Sequence, residues 1–259
     1  MMKSSVSTAI LLLACVGIAD AGQSSAARVR AFALLPNWTG VWQSSAWLAD
    51  ESGRPPGGIA QVRAESQLAL RPPYNSEWAT NQQAVINTAL AAKALKWCVG
   101  SFPALMESPR MFQVATLPEE TLLVFENGQI RHIYTDGRAH PAADDLWPTP
   151  LGDSVGHWSG DALIIDTVAR TSSAPVAWSA LAFSSMLSDE PHFIERLRLV
   201  GKDELEDQLT IEDPKALAKP WTVTLRFKRL RHMSRMIPFD CTENDRNPEI
   251  DGKIGIAPP

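Results

Sequence analysis

The sequence predicts a mainly β domain: an antiparallel β-barrel or strongly curved sheet with one long helix, a two-sheet β-sandwich being the alternative. Three observations predict it. From about residue 111 the chain alternates apolar and polar residues in short runs, the period-2 signature of half-buried strands. These runs come in consecutive pairs around turn dipeptides, Asn127-Gly128 and Ser159-Gly160. Consecutive antiparallel hairpins that bury one face need a second layer or closure on themselves. With 259 residues, 45% of them hydrophobic, the chain has ample material for one large core.

Residues 1–21 read as a secretory signal. Lys3 is its positive region, Val6 to Ile18 its apolar run, and Ala19-Asp20-Ala21 a small-x-small cleavage site before Gly22. The run is too short to span a bilayer. Leu12-Leu13-Ala14-Cys15 also reads as a lipobox, in which Cys15 becomes a lipidated first residue. The apolar run continues through Val16 and Ile18, which favours soluble export to the periplasm or the medium. Contact with a membrane is expected only if Cys15 is lipidated.

Residues 22–35 read as a flexible lead-in and 36–259 as a single β-rich domain, opened by Pro36-Asn37-Trp38-Thr39-Gly40-Val41-Trp42. Pro- and Gly-rich stretches between residues 50 and 75 break regular structure. A helical insertion is expected over about 76–97, with Ser76 as its cap, dense Ala, and an apolar stripe of Trp78, Val85, Ala89, Ala92 and Leu95. The first hairpin joins 121–126 to 129–135. A two-residue type I′ turn at Asn127-Gly128 sets Phe125 opposite Ile130 and Leu123 opposite His132. Leu123, Phe125, Ile130, His132 and Tyr134 then share one face; Leu122, Val124, Glu126, Gln129, Arg131 and Ile133 share the other. A second hairpin joins 155–158 to 161–167, and a third joins 192–199 to 205–211. In the third, Phe193, Glu195, Leu197 and Leu199 alternate on one strand, and Leu205, Asp207, Leu209 and Ile211 on the other. The last strand puts Trp221, Val223, Leu225 and Phe227 on one face.

Polar residues on apolar faces are the informative ones, and alternation selects His132, Glu195 and Asp207. A buried carboxylate loses hydration and holds its proton more tightly, and a raised Glu beside a His suits general acid–base catalysis. Glu195 equally suits a structural ion pair with an arginine of a neighbouring strand, and His132 a satisfied core histidine. The loop carrying Asp136, Arg138 and His140 follows the strand that bears Tyr134, a common way to present catalytic groups. His192 starts the strand that carries Glu195. Closure of a barrel is expected to bring His140, His192 and Tyr134 to one rim. Trp42, Trp158 and Trp221 are candidates to line a ligand cavity, among further tryptophans at 38, 47, 147 and 178.

Net charge −5, without a Lys/Arg run, argues against nucleic-acid binding. Cys98 and Cys241 remain after export, and an even number of cysteines in an exported chain suggests a disulfide, about 4–5 kcal/mol by the chain-entropy model. There is no CxxC, HExxH or Asp-rich calcium loop, and no GxSxG, GxGxxG or Walker loop. No cofactor and no metal are therefore expected; His132, His140 and His192 are the one conceivable ligand set. Partner oligomerisation is left open.

Four segments carry a resemblance: Arg131-His-Ile-Tyr-Thr-Asp-Gly-Arg-Ala-His-Pro141, Gly156-His-Trp-Ser-Gly-Asp-Ala-Leu-Ile-Ile-Asp-Thr-Val168, Ile211-Glu-Asp-Pro-Lys-Ala-Leu-Ala-Lys-Pro-Trp-Thr222 and Cys241-Thr-Glu-Asn-Asp-Arg-Asn-Pro248. Over residues 36–250 the chain resembles a large family of exported bacterial proteins without an established reaction. The resemblance implies a shared fold and export. Asp153, His157 and Ser159 stand where that pattern has His, Arg and Glu, and Asp207 where it has an apolar residue. Gly40-Val41-Trp42 also resembles the Gly-x-Trp that opens lipocalin barrels, where the Trp closes one end under a late Arg. Arg229 or Arg231 would serve here.

The expected function is that of an exported protein acting on a small organic molecule, apolar or aromatic, by cofactor-free acid–base chemistry: a lyase, isomerase or hydrolase step. Glu195 or His140 would be the base, and Tyr134 and Arg138 would stabilise negative charge. The alternative is a lipocalin-like carrier of a hydrophobic ligand. Mass spectrometry of the exported protein is expected to find Gly22 as the first residue; an acylated Cys15 would make it a lipoprotein instead.

Overall fold

The structure, a computed structural model, describes residues 25–47, 72–80, 100–108, 110–171, 187–238, 249–250 and 253–254. The expected signal segment, most of the stretch 76–97 where a helix is expected, Trp178 and both Cys98 and Cys241 lie outside the described residues. Nine strands close into one barrel in chain order: β1 (Val41–Ser44), β2 (Phe112–Thr116), β3 (Glu120–Phe125), β4 (Ile130–Tyr134), β5 (Asp153–Ser159), β6 (Ala162–Val168), β7 (His192–Gly201), β8 (Glu204–Glu212) and β9 (Trp221–Arg229). Closure is β9 against β1, with Trp42 paired to Arg229 and Ser44 to Phe227. Every junction is antiparallel except β4–β5, which is parallel and holds a single pair, Tyr134 with Val155. A separate hairpin pairs β10 (Glu249–Ile250) with β11 (Lys253–Ile254). The barrel is the first of the two expected architectures; it is not a sandwich.

Within the expected lead-in Ser25–Phe32 forms a helix, α1, built from a helix-favouring Ala/Arg-rich stretch. Two local expectations are corrected. Residues 76–80 are helical, but the cap is Asn75 rather than Ser76: its Oδ1 accepts the Trp78 amide at 2.8 Å. The first hairpin turns through three residues, not two. The Phe125 amide donates to the Gln129 carbonyl at 2.9 Å, and only Gly128 takes a left-handed conformation, φ +82°. A type I′ turn needs positive φ at both central residues, so this is the turn-plus-bulge form that glycine permits. Leu123 consequently pairs with Arg131 and Leu122 with His132.

That one-residue slip reverses β4. Arg131 and Ile133 enter the barrel, while Ile130, His132 and Tyr134 turn outward. The later strands keep the alternation read from sequence. Phe193, Glu195 and Leu197 of β7, Leu205, Asp207, Leu209 and Ile211 of β8, and Val223, Leu225 and Phe227 of β9 all point in and are buried. Leu123, Phe125, Leu163 and Ile165 complete the fill.

Both ends are plugged. At one, the Arg229 guanidinium lies 4.4 Å above the Trp42 ring and donates to the carbonyl oxygens of Thr39 and Asn37. The Trp42 indole donates to the Trp38 carbonyl at 2.9 Å, and Trp38 packs on Trp158 with ring centroids 4.8 Å apart. Gly40, at φ +129°, makes room: a Cβ there would stand 3.2 Å from the Arg229 side chain. Arg231 instead pairs with Asp203. At the other end Phe102, Leu105 and Met106 cover the core, Phe102 packing edge-on against Phe193 at 4.9 Å. Buried Asp213 ties residues 187–188 to 213–216 there, accepting from Ser188 N at 2.7 Å, Ser188 Oγ at 2.8 Å and Ala216 N at 3.1 Å.

Replacing Arg229 by Ala removes a cation over an indole and donors to two carbonyls. The expected loss is about 2 kcal/mol of stability, read from the urea midpoint; an unchanged midpoint would make the plug ornamental.

Candidate functional site

Strand alternation sorts the ionisable side chains into an outer and an inner group. On the outer wall Asp153, Asp166, His192 and Glu212 come from β5, β6, β7 and β8, and His140 reaches them from the loop after β4. His140 Nδ1 lies 2.5 Å from Asp153 Oδ1, and its Nε2 3.1 Å from Asp166 Oδ1. His192 Nε2 lies 2.9 Å from the same Asp166 oxygen, and its Nδ1 3.2 Å from Glu212 Oε2. The result is one chain, Asp153–His140–Asp166–His192–Glu212, with the two rings 21% and 35% exposed. Carboxylates only accept, so all four contacts are made when each imidazole carries two N–H groups. Both rings are partly open to water.

Beside it, Tyr134 pairs with Val155, and Val155 with Asp166. Two strand spacings, about 10 Å, therefore separate Tyr134 from Asp166 along one outer row. The Arg138 guanidinium stands 4.1 Å above the Tyr134 ring, and His132 stacks beside that ring with centroids 6.1 Å apart. Arg138 also grips Asp136, Nη2 to Oδ2 at 2.7 Å, and this bond holds the Asp136 carboxyl below its usual range. Val155 is the floor between the aromatic–cation pair and the histidine chain.

The inner group is sealed. Arg131 is 1% exposed and Glu195 1%. Arg131 Nη1 donates to Glu195 Oε1 at 2.9 Å and Nη2 to Glu195 Oε2. Nη2 also reaches Thr167 Oγ1 at 2.9 Å and Ser154 Oγ at 3.3 Å, while Phe102 covers the guanidinium at 3.9 Å. Asp207 lies against Glu195, fully buried, and burial followed by the Glu195 charge pushes its carboxyl well above the usual range, against the pull of Arg131.

The expected site residues divide accordingly. His140 and His192 meet on Asp166. Tyr134, Asp136 and Arg138 form the neighbouring cluster, and their contacts are with each other and His132 rather than with the histidine pair. His132 is not on the inner face: it is exposed and its Nδ1 contacts Glu120 Oε2 at 2.8 Å, because the turn shifts the register. Glu195 is on the inner face but is bonded to Arg131 behind a closed wall, so it meets no solute there. Asp207 is likewise mid-barrel rather than at a mouth. Trp42 offers no free face to a ligand, being 0% exposed beneath Arg229; Trp147, by contrast, is 82% exposed. Trp158 and Trp221 pack against the core. Sequence reasoning missed Asp166, Asp153, Glu212 and Arg131. The outward phase of β6, with Leu163 and Ile165 facing in, was the available signal for Asp166.

Among the described residues no group of three or more His, Cys, Asp or Glu side chains surrounds a point that would hold a metal ion. The chain forms a closed, nine-stranded β-barrel, consistent with a lipocalin-like barrel. It matches no family model, no curated protein and no solved structure.

Replacing Arg131 by Met strands Glu195 without its cation. The expected cost is about 3–5 kcal/mol in equilibrium unfolding. Adding Glu195→Met is expected to recover a large part of it, and a double variant no better than the single one would contradict a structural pair.

Proposed function

We propose that the protein is an acid–base enzyme of the cell envelope or medium, acting on a small organic molecule at the outer wall of the barrel through His140 and His192. One observation carries the reading: both imidazole Nε2 atoms converge on a single oxygen of Asp166, and the second nitrogen of each ring is held by its own carboxylate, Asp153 or Glu212. Carboxylates that orient both rings suit a pair in which one histidine, its Nε2 proton passed to water, takes a proton from the substrate, while the other donates its own Nε2 proton to the substrate and recovers one from water. Proton abstraction at one atom of a substrate and delivery at another is the elementary step of a lyase, an isomerase or a hydrolase. Tyr134 and Arg138, about 10 Å away across Val155, suit the contact with an aromatic or apolar part of the substrate. Glu195 is not part of this reading, because its carboxylate is bonded to Arg131 inside the wall.

The filled interior bears on the carrier alternative. Trp42, Phe125, Phe193, Leu209 and Phe227 are 0–1% exposed, so their surfaces meet one another rather than an open cavity. A hydrophobic ligand would have to displace core side chains. The resemblance to exported bacterial proteins supports action outside the cytoplasm.

The test is untargeted mass spectrometry of a metabolite extract incubated with the wild type, His140→Gln and His192→Gln. A compound consumed by the wild type is expected to turn over roughly 10²–10⁴-fold more slowly with either variant, at nearly unchanged melting temperature. Equal consumption by all three proteins, or a compound retained unaltered by all three, would overturn the assignment.

A further inference from the structure

The β4–β5 junction has the shortest ladder in the barrel wall, one residue pair against two at β1–β2 and three at β1–β9. β3–β4 and β6–β7 share five and six. The Arg131 side chain spans that seam from inside. It starts on β4 and bonds Ser154 of β5, Thr167 of β6 and Glu195 of β7. Side-chain bonds thus hold the wall where the backbone ladder does not.

The charge on this latch is set by a proton. Arg131 brings one cation, and Glu195 and Asp207 bring two carboxyl groups, all three at most 1% exposed. Burying an uncompensated charge is prohibitive, so one of the two acids keeps its proton. Glu195 receives both guanidinium bonds. Among the described residues neither oxygen of Asp207 has a hydrogen-bond partner when it is a carboxylate. As a carboxylic acid it can donate to Glu195. The ionisable groups facing Asp207 are Glu195 from β7 and Arg131 from β4; its partner on β9 is the apolar Leu225.

We propose that the β4–β5 seam is a pH-controlled gate, latched by Arg131 and governed by the proton that Asp207 holds against Glu195. Loss of that proton sets two carboxylates against one guanidinium. Arg131 is then drawn between Glu195 and Asp207, and its bonds to Ser154 and Thr167 across the seam are released. The native state holds a proton that the unfolded chain gives up near pH 4, the ordinary range of Asp. This contribution to stability is complete below that pH and is lost as pH rises toward the higher native value, about tenfold in the unfolding constant per pH unit.

Infrared spectroscopy and hydrogen exchange on the whole protein test it. At pH 6, where ordinary side-chain carboxyls are ionised, the wild type is expected to show a carboxylic-acid C=O band that Asp207→Asn lacks. Protection factors of Ile130–Tyr134 and Asp153–Ser159 are expected to fall as pH rises, ahead of those in β8 and β9. In Asp207→Asn they should stay level. Absence of the acid band in the wild type overturns the proton on Asp207, whatever the variant does. A band present with seam and β8–β9 protection falling together overturns the gate. If Asp207→Asn does not fold, Asp207→Leu serves as the proton-free comparison.

Discussion

The bonds that Arg131 makes inside the barrel are the constraint around which the rest is arranged. A nine-membered wall is closed at eight junctions by antiparallel pairing, and the ninth, β4–β5, is nearly bare of it. A long side chain with five donors suits that place, since a guanidinium can bond three strands at once while its flat face rests on Phe102. Its charge requires Glu195, and the proximity of Asp207 then requires a proton. The polar heart of the core thus follows from a gap in the wall.

The same wall keeps two kinds of ionisable group apart. Inside, desolvation makes every charge expensive and compels pairing. Outside, His140 of the loop after β4 and His192, Asp153, Asp166 and Glu212 of β5 to β8 are partly exposed, where protons can be exchanged with water or a solute. Alternation along a strand puts Asp166 outside between Ile165 and Thr167, which both point in. A scaffold stabilised by one set therefore holds four of the five outer groups on strands, with His140 reaching them from a loop.

Much of the fold was legible in the sequence because its cause is local. The period-2 pattern of 192–199, 205–211 and 221–227 depends only on which face is buried, and it placed Glu195 and Asp207 inward. The Gly40-Val41-Trp42 opening and a late arginine likewise pointed to the Trp42–Arg229 plug. The face of β4 was not legible. Asn127-Gly128 fits a two-residue turn and a three-residue turn with a bulge, and the choice rests on the φ of one residue. That choice exchanged His132 for Arg131, and with it a supposed catalytic histidine for the latch of the barrel. The outer chain was half legible. His140 and His192 could be picked out by residue type, whereas their junction at Asp166 depends on how the 135–152 loop crosses β5 and β6, which no local pattern specifies.

The pairing of Trp42 with Arg229 joins the first strand of the barrel to the last. The hairpins between β5 and β9 pair near neighbours in the chain, but this ladder pairs strands nearly two hundred residues apart, with the entropy of a very long loop against it. The Trp42 indole that this pairing buries lies beneath a guanidinium. Closing a ribbon of hairpins into a tube therefore carries a loop-entropy cost that none of the hairpins carries, and burial of Trp42 is part of what offsets it.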